Sequence, residues 1–367
     1  MLVDIFKVLR KFIARTLILT LTVVHPAYAV RIHTTGSTTD ISTSTTPLIC
    51  LAGGGSDNRW GQGWRAMLEA SGGGDIVIIR SDGQRGGYEP WIYNDEGENG
   101  FPRVNSVKTI TISRARDANR ADVERMILNA ELVFFAGGDQ SRYINWFRNS
   151  RLIKAVDYVM RTKRIPVGGS SAGMALLAGI DYRADLPSPA NKKAFVTSED
   201  ALKDPTGKFL ALDREVLVPP YMKNVITETH FSQRNRKGRL MGFMARAIYN
   251  NYDDIYYENI RGIGADEGTA VCYDDTGIAQ VYGVGSVYFL QGLTPIERIQ
   301  PGSSLDWFGS RQAIAAYTIK GSDTPSARFN MSLWRGFGGI SQYWWIDGSN
   351  PFLPVIGESP AEEWPTR

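Results

Sequence analysis

Short apolar runs alternate with amphipathic stretches along most of this chain, and that alternation restricts its fold more than any other feature. "LICLAGGG", "DIVIIRSDG" and "AELVFFAGGDQ" read as short buried strands, and "VKTITIS" alternates with period two. Between them fall helical stretches. One spans Trp60–Ala70, and another, Ala118–Ala130, puts Val123, Met126, Ile127 and Ala130 on one face. A third puts Leu152, Val156, Val159 and Met160 on one side. Apolar strands separated by amphipathic helices indicate an α/β fold, with a mostly parallel sheet and helices on both faces. Ligand sites in such sheets lie beyond the carboxyl ends of the strands. Three glycine-rich strand ends are expected there: Gly53–Gly55, Gly137-Gly138 and Gly168-Gly169.

This α/β domain is expected over residues 47–293. Residues 30–46, with "HTTGSTTDISTSTT", read as a Thr/Ser-rich tether with little to bury. From Gly179 to about Asn224 the composition turns to Pro, Lys and Asp, as in an insertion over a sheet edge. Residues 294–367 form a C-terminal accessory extension holding Trp307, Trp334, Trp344, Trp345 and Trp364. Packing is the first expectation for these tryptophans; an accessory layer or a lid are the alternatives.

The first 29 residues have the layout of a secretory signal peptide: Lys7, Arg10, Lys11 and Arg15, then the apolar run Leu17–Val24, then Ala27-Tyr28-Ala29. Cleavage is expected after Ala29, giving a secreted or periplasmic protein with no membrane attachment afterwards. The apolar run is shorter than the roughly 20 residues needed to span a bilayer. Four bases against Asp4 in this leader account for the whole formal net charge of +3. The remainder is neutral, has no basic stripe, and gives no sign of a nucleic-acid partner. Cys50 and Cys272 both lie in apolar strand-like runs, where buried free thiols are the first expectation. A disulfide would require close Cα atoms.

"RIPVGGSSAGMALLAG" (Arg164–Gly179) contains Gly169-Ser170-Ser171-Ala172-Gly173, a G-x-S-x-G pattern between an apolar strand and a helix-compatible run. A sharp strand-to-helix turn can hold the Ser171 oxygen clear of the sheet. The following N–H, on Ala172, then points from a helix start toward developing negative charge. A serine that merely caps a helix is the alternative. A serine nucleophile needs a base, and His230 is the one histidine outside the leader and tether, at the end of the strand-like "VITETH". A lone histidine also serves structural ends. A carboxylate to orient the imidazole is available in "GIGADEGTAV" as Asp266 or Glu267, unless that turn is simply solvated. One histidine and two separated cysteines make no zinc set, and no phosphate-binding loop occurs, so no metal or cofactor is expected.

"FFAGGDQ" (Phe134–Gln140), "GGSSAG" (Gly168–Gly173), "HFSQRNRKGRL" (His230–Leu240) and "GIGADEGTA" (Gly262–Ala270), in that order, resemble the cyanophycinases. These belong to the serine peptidase family S51, which also contains peptidase E. The resemblance covers roughly Pro47 to Gln291. It implies a flavodoxin-like sheet of the class I glutamine amidotransferase type carrying a Ser–His–Glu triad. Matched motif by motif, it puts the nucleophile on Ser171, the base on His230 and the orienting carboxylate on Glu267. Oxyanion donation falls on the N–H groups of Gly138 and Ala172. Substrate contacts fall on Gln140, Glu228, Arg234, Arg236 and Arg239. Guanidinium groups suit a substrate bearing free carboxylates; a solvated helix face is the alternative for the arginines, of which two are expected on substrate. Where cyanophycinases commonly carry Asp-Gln before the histidine, this chain has Glu228-Thr229: the acid is one methylene longer and the amide is lost.

The implied partner is a peptide or a cyanophycin-like polymer, hydrolysed at β-linked aspartyl-arginine units through an acyl-enzyme. The Glu228-Thr229 change makes a peptidase for other aspartyl or isoaspartyl peptides the next expectation. A catalytically inactive polymer-binding protein is the third. A homodimer is compatible with the resemblance. The aromatic loop "GYEPWIY" (Gly87–Tyr93) has no counterpart in it, and either lines a subsite or packs.

Overall fold

Ile76–Ile79 are buried without exception, as expected for a strand covered on both faces, and the same holds for Leu132–Phe135. The computed structural model describes residues 30–81, 87–95, 99–192, 195–252, 254–350, 352 and 354–364. The leader expected over residues 1–29 lies outside them. In chain order the strands are β1 (Arg31–Gly36), β2 (Leu48–Ala52), β3 (Asp75–Arg80), β4 (Ser106–Thr111), β5 (Leu132–Phe135), β6 (Val167–Ser170), β7 (Ile180–Tyr182), β8 (Leu212–Arg214) and β9 (Val225–Glu228). They continue as β10 (Arg261–Ala265), β11 (Thr269–Asp274), β12 (Ile278–Gly283), β13 (Ser286–Gly292), β14 (Ile314–Lys320), β15 (Arg328–Asn330), β16 (Arg335–Phe337), β17 (Ile340–Asp347) and β18 (Val355–Pro360).

These strands form two sheets rather than one. The first has ten strands in the order β1-β4-β3-β5-β6-β2-β11-β12-β15-β16; the second has eight, β18-β17-β14-β13-β10-β9-β7-β8. The parallel arrangement expected from the sequence holds for β4-β3-β5-β6-β2 and for β7-β9-β10. The remaining pairings are antiparallel. The helix Gly61–Ala70 packs Trp64, Met67 and Leu68 on one face of the first sheet. Its other face shares a core with the helices Ala121–Leu128, Gln140–Phe147 and Arg151–Tyr158 and with the second sheet, where Leu51 and Val167 join Ile263 and Phe289. The second sheet is closed on its far side by the helix Lys237–Tyr249, whose Leu240, Phe243, Met244 and Ala247 are buried. Burying one such large apolar side chain contributes about 1.5–3 kcal/mol. Among the described residues no helix is long and apolar enough to cross a membrane.

Three expectations change. Residues 30–46, read as a tether, include β1, which pairs antiparallel along β4 from Arg31↔Thr111 to Gly36↔Ser106. Beyond it, the Thr43 hydroxyl donates to the carbonyl of Ser71. A run of Thr suits an edge strand as well as a coil, so composition did not separate the two. Cys50 and Cys272, expected as free thiols, form a disulfide: they face each other across the antiparallel β2–β11 pair with Cα atoms 4.1 Å apart. Residues 294–367 add strands to both sheets: β14, β17 and β18 continue from β13, and β15 and β16 continue from β12. Trp307, Trp334, Trp344 and Trp364 are buried, so packing accounts for them.

Candidate active site

The carboxyl ends of strands from both sheets converge at one place. β2 leads into Gly53–Gly55, β5 into Gly137-Gly138, and β6 into Ser171; from the second sheet, β9 ends just before His230 and β10 just before Glu267. Backbone hydrogen bonds lock the ends together: His230 N–H to the Gly53 carbonyl (2.8 Å), Gly268 N–H to that of Gly54 (2.8 Å), and Gly53 N–H to that of Thr269 (2.9 Å).

At β6 the chain turns abruptly. Ser171 has φ 53° and ψ −115°, a conformation that L residues rarely adopt, and the helix Ala172–Leu176 starts at once. Such strain at about 1–3 kcal/mol per residue persists only where the surroundings fix it. Here the surroundings are tight: a Cβ on Gly173 would lie 2.0 Å from the Phe135 carbonyl oxygen. This turn aims Ser171 Oγ at His230 Nε2, 2.7 Å away. On the other side of the ring, His230 Nδ1 lies 2.6 Å from Glu267 Oε1. His230 is itself strained (φ 48°) and only 7% exposed. Burial pushes its pKa below the ordinary histidine value, the hydrogen bond to Glu267 opposes this, and Arg234 and Arg236 lower it further. The imidazole therefore stays neutral and basic near pH 7.

The choice between Asp266 and Glu267 is resolved by hydrogen bonding. Asp266 accepts from the N–H groups of Ser232 (2.9 Å) and Ser286 (3.0 Å), so it braces two backbones. Glu267, whose N–H is held by Gln233 (2.9 Å), turns its carboxylate to the ring. Gly54 completes the fit. Its φ is +98°, and a Cβ there would sit 2.5 Å from His230 Cε1, 2.7 Å from Nε2 and 3.0 Å from Ser171 Cβ.

Ser171 and His230 open into a cavity of about 320 Å³ that also contains Gly138, Ala172, Gln140 and the three arginines at 234, 236 and 239. The Gly138 N–H has no acceptor among the described residues. That of Ala172 stands at a helix start, where no intrahelical acceptor exists. Gln140 donates to the Tyr182 carbonyl. The arginines differ from one another. Arg239 grips Glu228 with two parallel bonds, Nε to Oε2 (2.7 Å) and Nη2 to Oε1 (2.6 Å), and Arg236 adds a third from Nη1 (3.1 Å). Burial pushes the Glu228 carboxyl up, but Arg239 and Arg236 outweigh it and hold the pKa below the usual range. Burial brings Arg236 down to about 10. Arg234 is exposed, and its side chain has no hydrogen-bond partner among the described residues. Two of the arginines that line the cavity thus answer an internal acid, and Arg234 has no such partner among the described residues.

Sequence reasoning missed Tyr182 and Phe195, which line this cavity from a three-residue strand and a loop, and no periodicity marks either. It also missed Asp57, which accepts from Ser170 Oγ (2.7 Å), Trp60 Nε1 (3.1 Å) and the Tyr88 hydroxyl, and so supports the turn next to Ser171. Among the described residues no group of three or more His, Cys, Asp or Glu is placed to hold a metal ion.

A serine bonded to an imidazole that is bonded to a carboxylate, at the strand ends of an α/β protein, is the arrangement of an acyl-transfer hydrolase. Residues 92–281, just over half of the chain, match the model of Peptidase family S51; the chain belongs to that family. Among known proteins it is similar to a cyanophycinase of Geminocystis herdmanii, 23% identical over 248 residues that cover 66% of this chain and 80% of that one. It is also similar to a cyanophycinase of a Nostoc species, 24% identical over 181 residues. Here the match covers 49% of this chain and about half of the relative, 52%. Of the solved structures, a peptidase from an acI-B1 Actinobacterium overlays with a TM-score of 0.46 at 18% identity, covering 71% of this chain and 97% of that one.

Proposed function

We propose that this protein is a serine-type peptidase of the cyanophycinase kind, acting through an acyl-enzyme on Ser171. The observation that supports this best is the pair of short contacts that joins Ser171 Oγ to His230 Nε2 and His230 Nδ1 to Glu267. His230 takes the Ser171 proton as the oxygen attacks the scissile carbonyl; Glu267 orients the ring and stabilises the imidazolium. The N–H groups of Gly138 and Ala172 receive the oxyanion, and each such donor contributes about 10²–10³ in rate. The imidazolium protonates the leaving nitrogen, and water then releases the acyl group.

Arg234, aided by the residual positive charge of the Glu228–Arg236–Arg239 cluster, suits an acidic residue on the acyl side. The names of the relatives make the β-linked aspartyl-arginine polymer the first substrate to test. A specific contact favours a second reading. Glu228, the acid that stands where cyanophycinases commonly have Asp, is already clamped by two arginines, which leaves it little capacity for a substrate guanidinium and favours other aspartyl or isoaspartyl peptides. An intact triad argues against an inactive polymer-binding protein. Export through the leader at residues 1–29 belongs to the same proposal, and a buried disulfide is consistent with an oxidising compartment.

The deciding experiment is a hydrolysis panel of cyanophycin, β-Asp-Arg peptides, isoaspartyl peptides and ordinary α-peptides, run with wild type and Ser171→Ala. Turnover at aspartyl-type bonds, reduced about 10⁴-fold or more by the substitution while the circular dichroism spectrum is unchanged, is expected. Substantial residual turnover in Ser171→Ala would overturn the assignment.

A further inference from the structure

We propose that Asp57 and Tyr88 are positioning residues for the Ser171 nucleophile, acting through the side chain of Ser170. This gives the aromatic segment Gly87–Tyr93 a part in catalysis rather than in packing alone. The inference rests on the peptidase reading above and extends it outward from the triad.

The segment after β2 bounds the base and its carboxylate. Cβ positions at Gly54 and Gly55 would lie 2.5 Å from His230 Cε1 and 2.9 Å from Glu267 Cβ. Three successive glycines make this segment soft, because they bring no side chains to pack, and Gly54 and Gly55 both have positive φ. It therefore needs an anchor, and Asp57 is that anchor. Asp57 Oδ1 accepts from Ser170 Oγ at 2.7 Å. Ser170 stands directly before the nucleophile, buried at the end of β6. One hydrogen bond thus ties the loop beside His230 and Glu267 to the turn that carries Ser171. On its other side that turn is held by the Ser171 N–H, which donates to the Ala52 carbonyl at 3.0 Å.

Asp57 is itself fixed from outside the loop. Trp60 Nε1 donates to Oδ1 at 3.1 Å and the Tyr88 hydroxyl donates to Oδ2, so both carboxylate oxygens are oriented. Tyr88 opens the helix Tyr88–Asn94. Its ring packs on Trp64 and Phe134, with centroids 5.8 Å from each. Both of these are fully buried, and Phe134 belongs to β5, the strand that leads into Gly137-Gly138. A relay thus runs from a close-packed aromatic core through Tyr88, Asp57 and Ser170 to the nucleophile turn.

The relay acts on geometry. Among the described residues Asp57, Ser170 and Tyr88 make no hydrogen bond to His230 or Glu267. Their effect reaches the chemistry through the place of Ser171 Oγ, which must stay within hydrogen-bond reach of His230 Nε2, 2.7 Å away. The two ends of the relay can be cut with the sheet in place. Deleting the Tyr88 hydroxyl leaves its ring packed, and deleting the Ser170 hydroxyl leaves the backbone pairing of β6 with β2 intact.

The rate at which a fluorophosphonate labels Ser171 tests the relay without any peptide substrate. In Asp57→Ala, kinact should fall about 10²-fold, the loss that displacement by about 1 Å produces, with KI within about two-fold of wild type. Ser170→Ala and Tyr88→Phe should each lower kinact about ten-fold, and they carry the test where Asp57→Ala does not fold. Asp57→Asn keeps an oxygen for Ser170 and Trp60 and turns its amide to the Tyr88 oxygen, so kinact should return to within about three-fold of wild type. Tyr88→Phe added to Ser170→Ala should cost no more than about two-fold further, because the relay is already cut. Wild-type rates in the folded variants, single losses that multiply in the double variant, or Asp57→Asn as slow as Asp57→Ala overturn the relay. Absence of labelling in wild type would overturn both the relay and the triad. Wild type labelled at Ser171 yet inert on every peptide of the panel would refute the peptidase reading alone.

Discussion

Removing the Cys50–Cys272 disulfide by a double alanine substitution should lower stability by an amount the chain connectivity sets. The bridge closes a loop of 222 residues. Loop-closure entropy for that length corresponds to about 5 kcal/mol near room temperature, at the top of the range of about 0–5 kcal/mol found for disulfides. With unfolding entropy near 2.1 cal/mol/K per residue, a folded body of roughly 330 residues changes Tm by about 1 °C or slightly more per kcal/mol. The expected fall is therefore about 4–7 °C. Thermal melts by circular dichroism of wild type, reduced wild type and the double variant provide the assay, with thiol titration of the denatured, unreduced protein alongside. The two strands the bridge joins lead into Gly53–Gly55 and out of the Glu267 turn, so kcat should fall together with Tm. Two titratable thiols in the unreduced protein, or identical melts for all three samples, would refute the reasoning.

Gly54→Ala should reduce kcat on the order of 10²-fold, because its Cβ would displace the His230 ring and misplacement by about 1 Å costs that much; a near-normal kcat would show that the loop yields. For the pH profile, His230 must be neutral to act as base, and burial with Arg234 and Arg236 lowers its pKa. The acid limb of kcat/KM should therefore lie below the ordinary histidine value, about 6.5. Arg234→Ala should move that limb upward, and a downward move would contradict the assigned electrostatics. Glu228→Gln leaves two buried guanidinium groups without their carboxylate and should cost about 3–5 kcal/mol in urea unfolding at pH 7. Because the folded-state pKa of Glu228 is lowered, its contribution is complete above the unfolded carboxyl value and is lost as pH falls through the folded one. The gap between wild type and variant should therefore narrow in acid, and a gap that widened would reverse the sign of the linkage.

Local sequence determined much of this protein. The strand–helix alternation specified an α/β architecture, because burial on both faces of a sheet writes itself as continuous apolar runs. The G-x-S-x-G turn located Ser171, since only small residues fit between β6, its helix and the Phe135 carbonyl. With one histidine outside the leader and the Thr/Ser-rich segment that carries His33, the sequence left His230 as the available base. What tertiary structure decided was every choice that depends on a partner far along the chain. Ser171 and His230 are 59 residues apart, His230 and Glu267 are 37 apart, and the two cysteines are 222 apart. No local period records which of two neighbouring acids turns inward, whether two buried thiols share a strand pair, or whether an arginine meets substrate or an internal carboxylate. Sheet membership is likewise non-local: one mostly parallel sheet was expected, yet the strands divide into two, with β9 and β10 paired within the second. Periodicity reports which face of an element is buried; the identity of what buries it is settled only when the chain closes.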